Sequence, residues 1–184
     1  EAVYHYLKAT QRYPKNYYTQ FNLGVARFQQ GKMDEAIEHY TKAVSLEPNY
    51  AKAHCNLGAA FFQKKEYEKA GAHFLKAITI EPDYIDAHFN LGVLYYTEGK
   101  MDAAIPCFLK VTKLRSDFAN AYYYLGLVFD KKGITDKAVT NFQAALRLQP
   151  NSLEILLLLA GEVLKQGNFN EAIPYYSDAL KLDP

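Results

Sequence analysis

Five histidines and two cysteines are the residues of this 184-residue chain best suited to metal or nucleophilic chemistry. Their spacing argues against both uses. His5, His39 and His73 stand 34 residues apart, and so do His54 and His88, so they form two columns of a longer period rather than a ligand set. There is no HExxH, no Cys-x-x-Cys pair and no calcium-binding loop. Cys55 and Cys107 lie 52 residues apart, a spacing of neither metal nor redox type, which fits a reduced, cytoplasmic chain. Cys107 reads as a small buried hydrophobe. Neither GxGxxG nor GxxxxGK[ST] occurs, and Ser45, Ser116, Ser152 and Ser177 lie outside any GxSxG elbow. The expectation is a non-enzyme with no catalytic residue, no cofactor and no metal.

Charge and hydropathy narrow the partners. Twenty-one Lys and Arg against 20 Asp and Glu leave a net charge of +1. Nucleic acid is thereby disfavoured, since counterion release needs a basic stripe. The longest strongly apolar run, residues 155–160, is far short of the roughly 20 residues that span a bilayer, so no direct membrane insertion is expected. No secretory h-region is visible, and a chain opening with Glu1 reads as an excerpt.

The elements that position these residues come from one period. Leu-Gly recurs at 23–24, 57–58, 91–92 and 125–126, continued by Leu159-Ala160. Ala2, Ala36, Ala70, Ala104, Ala138 and Ala172 follow the same 34-residue interval, as do Tyr6, Tyr40, Phe74, Phe108, Phe142 and Tyr176. Pro14, Pro48, Pro82, Pro150 and Pro184 close the units, with Ser116 in one turn. Residues 1–184 therefore form a single array: a half-unit at 1–16 and five copies at 17–50, 51–84, 85–118, 119–152 and 153–184. Each copy reads as two amphipathic helices, for instance about 52–64 and 68–80. Eleven helices are expected, the first over residues 1–13. The Leu-Gly glycine and the small alanine allow close helix crossing. Gly31, Gly99, Gly133 and Gly167 mark the inter-helix turns, and Lys65 stands where a left-handed residue is expected. Asp34, Asp102 and Asn170 are placed to cap the second helices, and Pro106 and Pro174 fall near the first turn of theirs.

These residues resemble the tetratricopeptide (TPR) family, whose 34-residue pattern carries Leu-Gly, Ala, an aromatic and a closing Pro. The resemblance covers the whole chain. Departures are mild: Gln20, His54, His88, Tyr122 and Leu156 hold the family's tryptophan place. It implies an all-α solenoid, a right-handed superhelix of antiparallel helix pairs whose first helices line a concave, protein-binding face. Carried over residue by residue, that face comprises Phe21, Asn22, Val25, Phe28, Lys52, Cys55, Asn56, Phe62, Phe89, Asn90, Tyr96, Tyr123, Tyr124, Asp130 and Lys131. Asn22, Asn56 and Asn90 form a column whose amides either hold an extended peptide backbone or follow common usage at that place. The aromatics divide between inter-repeat packing and a groove for an apolar or amphipathic segment. Lys52 is the one candidate for gripping a carboxylate there, so an acidic-tail clamp is not expected.

The stretches Ala104-Ile105-Pro106, Lys110-Val111, 125–130 and 171–174 resemble magnetosome-associated scaffold members of the family. That likeness implies a self-assembling protein held peripherally, through partner proteins, on the cytoplasmic side of an organelle membrane. Homo-oligomerisation is also expected from the chain ends: a lone second helix with Val3, Tyr6, Leu7 and Ala9 at one, and Pro184 without a polar cap at the other. The expected function is a scaffold for protein or peptide segments. The alternatives are the substrate-recognition array of a larger transferase and a bacterial envelope, pilus or secretion adaptor.

Overall fold

The computed structural model describes residues 15–183; the helix expected over residues 1–13 lies outside them. Ten helices follow one another: α1 (Tyr17–Gln29), α2 (Met33–Leu46), α3 (Ala51–Gln63), α4 (Tyr67–Ile80), α5 (Ile85–Thr97), α6 (Met101–Leu114), α7 (Ala119–Lys131), α8 (Thr135–Leu148), α9 (Leu153–Lys165) and α10 (Phe169–Leu182). Among the described residues there is no strand. The chain divides into two compact units, residues 1–94 and 95–184.

Each helix pair is closed by the same backbone device. Gly31, Gly99, Gly133 and Gly167 adopt φ between +69° and +79°, and Lys65 adopts +61°. The next residue's N–H then reaches back to a carbonyl five residues earlier, as in Lys32 to Arg27 at 3.0 Å and Ile134 to Phe129 at 2.9 Å. This closure satisfies carbonyls that a helix end otherwise leaves bare.

Within a pair, Leu-Gly sets the distance between helices. A Cβ on Gly24 would fall 2.6 Å from Tyr40 Cδ1, and one on Gly58 would fall 2.7 Å from Phe74 Cε1. Gly126 meets Phe142 in the same way. The aromatic ring thus lies on bare backbone, where a side chain would hold it off. In the first unit Phe21, Ala36, Tyr40, Ala43, Ala53, Leu57 and Ala60 form one core joining α1, α2 and α3. Burying a leucine- or phenylalanine-sized side chain contributes roughly 1.5–3 kcal/mol. In the second unit Phe108, Leu125, Val128, Phe142, Leu159 and Val163 are buried.

Two expectations are corrected. Asp34, Asp102 and Asn170 do not cap: the N-caps are Lys32, Lys100 and Asn168, without side-chain cap bonds, and the three residues lie inside their helices. The closed turn leaves no extended residue there to serve as a cap. Asp34 and Asp102 instead accept hydrogen bonds from Lys64 and Lys132, at the ends of the next first helices. Asp136 accepts from Gln166 at 2.7 Å in the same register. Side-chain capping occurs at Asn16 and Ser152. Pro106 and Pro174 are the sixth residues of α6 and α10, past the first turn. Each removes one N–H that would have bonded within the helix, yet both helices continue.

Candidate groove on the first helices

In the first unit α1 and α3 lie side by side and enclose a pocket of about 260 Å³ lined by Val25, Phe28, Gln29, Tyr40, Asn56 and Ala59. Apolar carbon makes up most of its wall, on which three polar side chains stand, Gln29, Tyr40 and Asn56. Asn56 Nδ2 donates to the Tyr40 hydroxyl at 3.4 Å, a long bond that leaves the amide oxygen available. Burial pushes the Tyr40 phenol up to about 12, so it stays a neutral hydroxyl. Val25, Phe28 and Asn56, all expected on the binding face, converge here; Tyr40 was assigned only to the helix-packing column. Its signal was a hydroxyl where the next three copies hold Phe74, Phe108 and Phe142.

Other expected face residues of this unit have structural work. Phe21 is buried, meeting Tyr50 edge-on with ring centroids 5.1 Å apart and lying 5.8 Å from Tyr40. Lys52 covers its ring at 5.6 Å. Cys55 is buried as well, and Asn90 Nδ2 donates to its sulfur at 3.5 Å. Burial pushes the Cys55 thiol up to about 12, far from a reactive thiolate. Phe62 packs on Tyr67 at 5.5 Å, and Asn22 and Phe89 are half-buried.

In the second unit the face is a tyrosine cluster. Tyr124 stacks on Phe108 at 5.3 Å and meets Tyr96 and Tyr123 edge-on at 5.6 and 5.4 Å. Such edge contacts are favoured by ring quadrupoles. Lys131 Nζ sits over Tyr96 at 4.4 Å. The Tyr123 hydroxyl donates to Glu154 at 2.5 Å, and burial first, then Glu154, pushes the phenol up. Asp130 accepts from Lys165 at 2.6 Å, which holds its carboxyl below the usual range. The cluster carries acids and bases together, with no single sign of charge.

His5 lies outside the described residues; the four described histidines bond groups of their own neighbourhood. His39 bonds Gln20 at 2.9 Å, His54 bonds His73 at 3.1 Å, and His88 reaches the Pro82 carbonyl at 2.8 Å. Among the described residues no group of three or more His, Cys, Asp or Glu is placed to hold a metal ion. None of the described helices is long and apolar enough to cross a membrane.

The family model of the Cilia and flagella-associated protein 70 C-terminal domain, a TPR domain, matches residues 7–184. The chain belongs to that family. No curated protein sequence matches it. Solved structures share its fold: MamA, at 25% identity and a TM-score of 0.82, covers 88% of this chain and 94% of its own. MamA from Desulfovibrio magneticus RS-1, residue 41 to the end, has 20% identity and a TM-score of 0.84 over 91% of this chain and 94% of that one. YrrB, described as a TPR protein with an unusual peptide-binding site, has 20% identity and a TM-score of 0.81 over 97% and 92%. The fold is an all-α TPR solenoid, and the sequence resemblance extends to the structure of MamA.

Proposed function

We propose that this TPR domain is a non-catalytic scaffold that binds an extended protein segment along its first helices. The observation carrying this reading is the pocket of about 260 Å³ beside Asn56. An apolar side chain fits among Val25, Phe28 and Ala59, while the Asn56 amide pairs with the backbone on either side of it. Residues 1–184 work as one array of five copies at 17–50, 51–84, 85–118, 119–152 and 153–184, preceded by the half-unit at 1–16. Within the first unit Asn22, Phe62, Phe89 and Asn90 belong to the same proposed face, and within the second unit Tyr96, Tyr123 and Tyr124, with Asp130 and Lys131, are proposed as a contact surface of their own. The family match favours a cilium- or flagellum-associated assembly as the setting.

The test starts from peptides selected by display against the chain and titrated calorimetrically. Ala59→Phe fills the pocket and Asn56→Ala removes the amide. Each should weaken binding about tenfold, because truncating or blocking an anchor commonly costs more than 1 kcal/mol. Unchanged affinity in both variants, with helical circular dichroism intact, would place the site elsewhere.

A second reading is favoured by the likeness to MamA over 88% of the chain. In it the domain self-assembles and sits peripherally at a magnetosome-type organelle membrane, on its cytoplasmic side. Light scattering over a concentration series tests it, and a strictly monomeric species up to high micromolar concentration removes it.

A further inference from the structure

The pocket between α1 and α3 carries a hydrogen-bond donor that the fold itself does not use. Tyr40 is 1% exposed, and its ring is held in the first-unit core beside Phe21 and on the backbone at Gly24. Burial keeps the phenol neutral, so its oxygen bears a proton as well as lone pairs. Among the described residues the hydroxyl receives one long bond, from Asn56 Nδ2 at 3.4 Å, and donates to none. Packing does not ask for it, since Phe74, Phe108 and Phe142 fill the same place, equally buried, in the next three copies. A buried donor is costly until an acceptor reaches it.

The neighbouring wall supplies the complement. Asn56 spends one amide hydrogen on Tyr40, which leaves its second hydrogen and the lone pairs of Oδ1. A donor on Tyr40 and an acceptor on Asn56 thus stand on adjoining side chains at the buried end of the pocket. Val25, Phe28 and Ala59 form an apolar passage to it from the exposed Gln29. None of the six lining residues is charged. The next three copies lack this combination, pairing Phe74 with Asn90, Phe108 with Tyr124 and Phe142 with Leu158.

We infer that this pocket selects a glutamine side chain of the bound segment, which rests on the groove reading proposed above. The methylene stem lies among Val25, Phe28 and Ala59, the side-chain carbonyl accepts from the Tyr40 hydroxyl, and the side-chain amide donates to Asn56 Oδ1. Asn56 keeps a hydrogen and a lone pair for the peptide backbone. Leucine would cover the same walls but leave the Tyr40 proton without an acceptor. Glutamate would bring a charge where no countercharge waits, and lysine offers donors only. Glutamine is favoured over asparagine because Tyr40 stands at the buried end, beyond the apolar walls.

The probe is the tightest peptide from a random library displayed on phage and selected against the whole chain. It is resynthesised with glutamine, leucine or glutamate at each position in turn and titrated calorimetrically. At one position glutamine should bind about tenfold tighter than leucine or glutamate, and Ala59→Phe should weaken that peptide about tenfold. Tyr40→Phe should bring glutamine and leucine to equal affinity without weakening the leucine peptide, a split that a general packing defect does not produce. Circular dichroism verifies its fold, and the comparison on the wild-type chain needs no variant. Binding that Ala59→Phe weakens, but in which glutamine has no advantage or keeps it in Tyr40→Phe, overturns the inference and leaves the groove reading standing. Binding indifferent to Ala59→Phe, or no peptide selected at all, overturns both.

Discussion

The imidazoles of His54 and His73 meet through their Nδ1 atoms at 3.1 Å, while His54 Nε2 donates to the Pro48 carbonyl at 3.1 Å. A carbonyl only accepts, so His54 carries its proton on Nε2, its Nδ1 accepts, and His73 Nδ1 donates. Burial first, then the neighbouring His54, pushes His73 from its ordinary 6.5 down to about 4; burial also lowers His54 and His39. The folded chain therefore resists protons that the unfolded chain accepts. Stability should be full above about pH 6.5 and fall progressively toward pH 4. His73→Asn, which copies Asn141 in the same column, should flatten part of that slope. Urea midpoints measured from pH 4 to 8 check it; a wild-type midpoint constant across the window refutes it.

Lys65 holds a φ of +61° in a turn where glycine serves at 31, 99, 133 and 167. A side chain there costs about 1 kcal/mol, partly offset by the extra freedom glycine gives the unfolded chain. Lys65→Gly should stabilise by about 0.5 kcal/mol, and Gly133→Lys should destabilise by about 1 kcal/mol. Equilibrium denaturation measures both, and a loss of stability in Lys65→Gly contradicts the assignment of strain.

Two helical glycines should respond oppositely to alanine. At Gly58 the new methyl would lie 2.7 Å from the Phe74 ring and 3.1 Å from the Ala70 carbonyl oxygen. Neither neighbour is a flexible chain end, so Gly58→Ala should cost about 2 kcal/mol. Around Gly161 nothing lies within 4 Å, and Gly161→Ala should gain up to about 1 kcal/mol in helix propensity. Thermal melts of the two variants should move in opposite directions.

Glu162 is buried at the register where Ala26, Ala60, Leu94 and Val128 stand in the other first helices. One carboxylate oxygen takes Lys165, which also holds Asp130, while the other oxygen has no partner. Burial raises the Glu162 carboxyl above its ordinary 4.5. A raised carboxyl supports the fold below that value and loses its contribution as pH rises through the raised one. At neutral pH the side chain is thus a burden, and Glu162→Val should stabilise by about 1 kcal/mol. Lys165→Met should act in the opposite direction, because it leaves two carboxylates facing each other. Denaturant midpoints at pH 7 decide, and a clear loss in Glu162→Val would refute this account.

The helix pairs were legible because Leu-Gly, Ala and the aromatic report a close approach that only those residue types allow. The turn at Lys65 was equally legible, since four glycines in register specify its backbone. Side chains at the helix ends were less so: Asp34 looks like a cap until the closed turn removes the extended residue a cap requires, and its partner Lys64 lies on the next repeat. The groove divided for the same reason. Phe21 and Cys55 share a helix face with Val25 and Asn56, and only the neighbouring Tyr50 and Asn90 decide which are covered. Tyr40 was hidden because its ring packs between helices while its hydroxyl reaches the pocket.

The reach of Lys64 to Asp34 and of Lys132 to Asp102 works as a plug and socket between modules. A second helix with aspartate as its second residue, as in α2, α6 and α8, accepts a first helix whose following residue is a donor, whether Lys64, Lys132 or Gln166. Because the two ends sit at fixed places within a 34-residue unit, whole units can be duplicated or exchanged and the connection re-forms, whereas an insertion of any other length breaks it. A unit with Glu98 at that place carries the wrong plug for an aspartate socket. These few surface polar contacts, individually weak, thereby record which modules can follow which when such an array is lengthened or recombined.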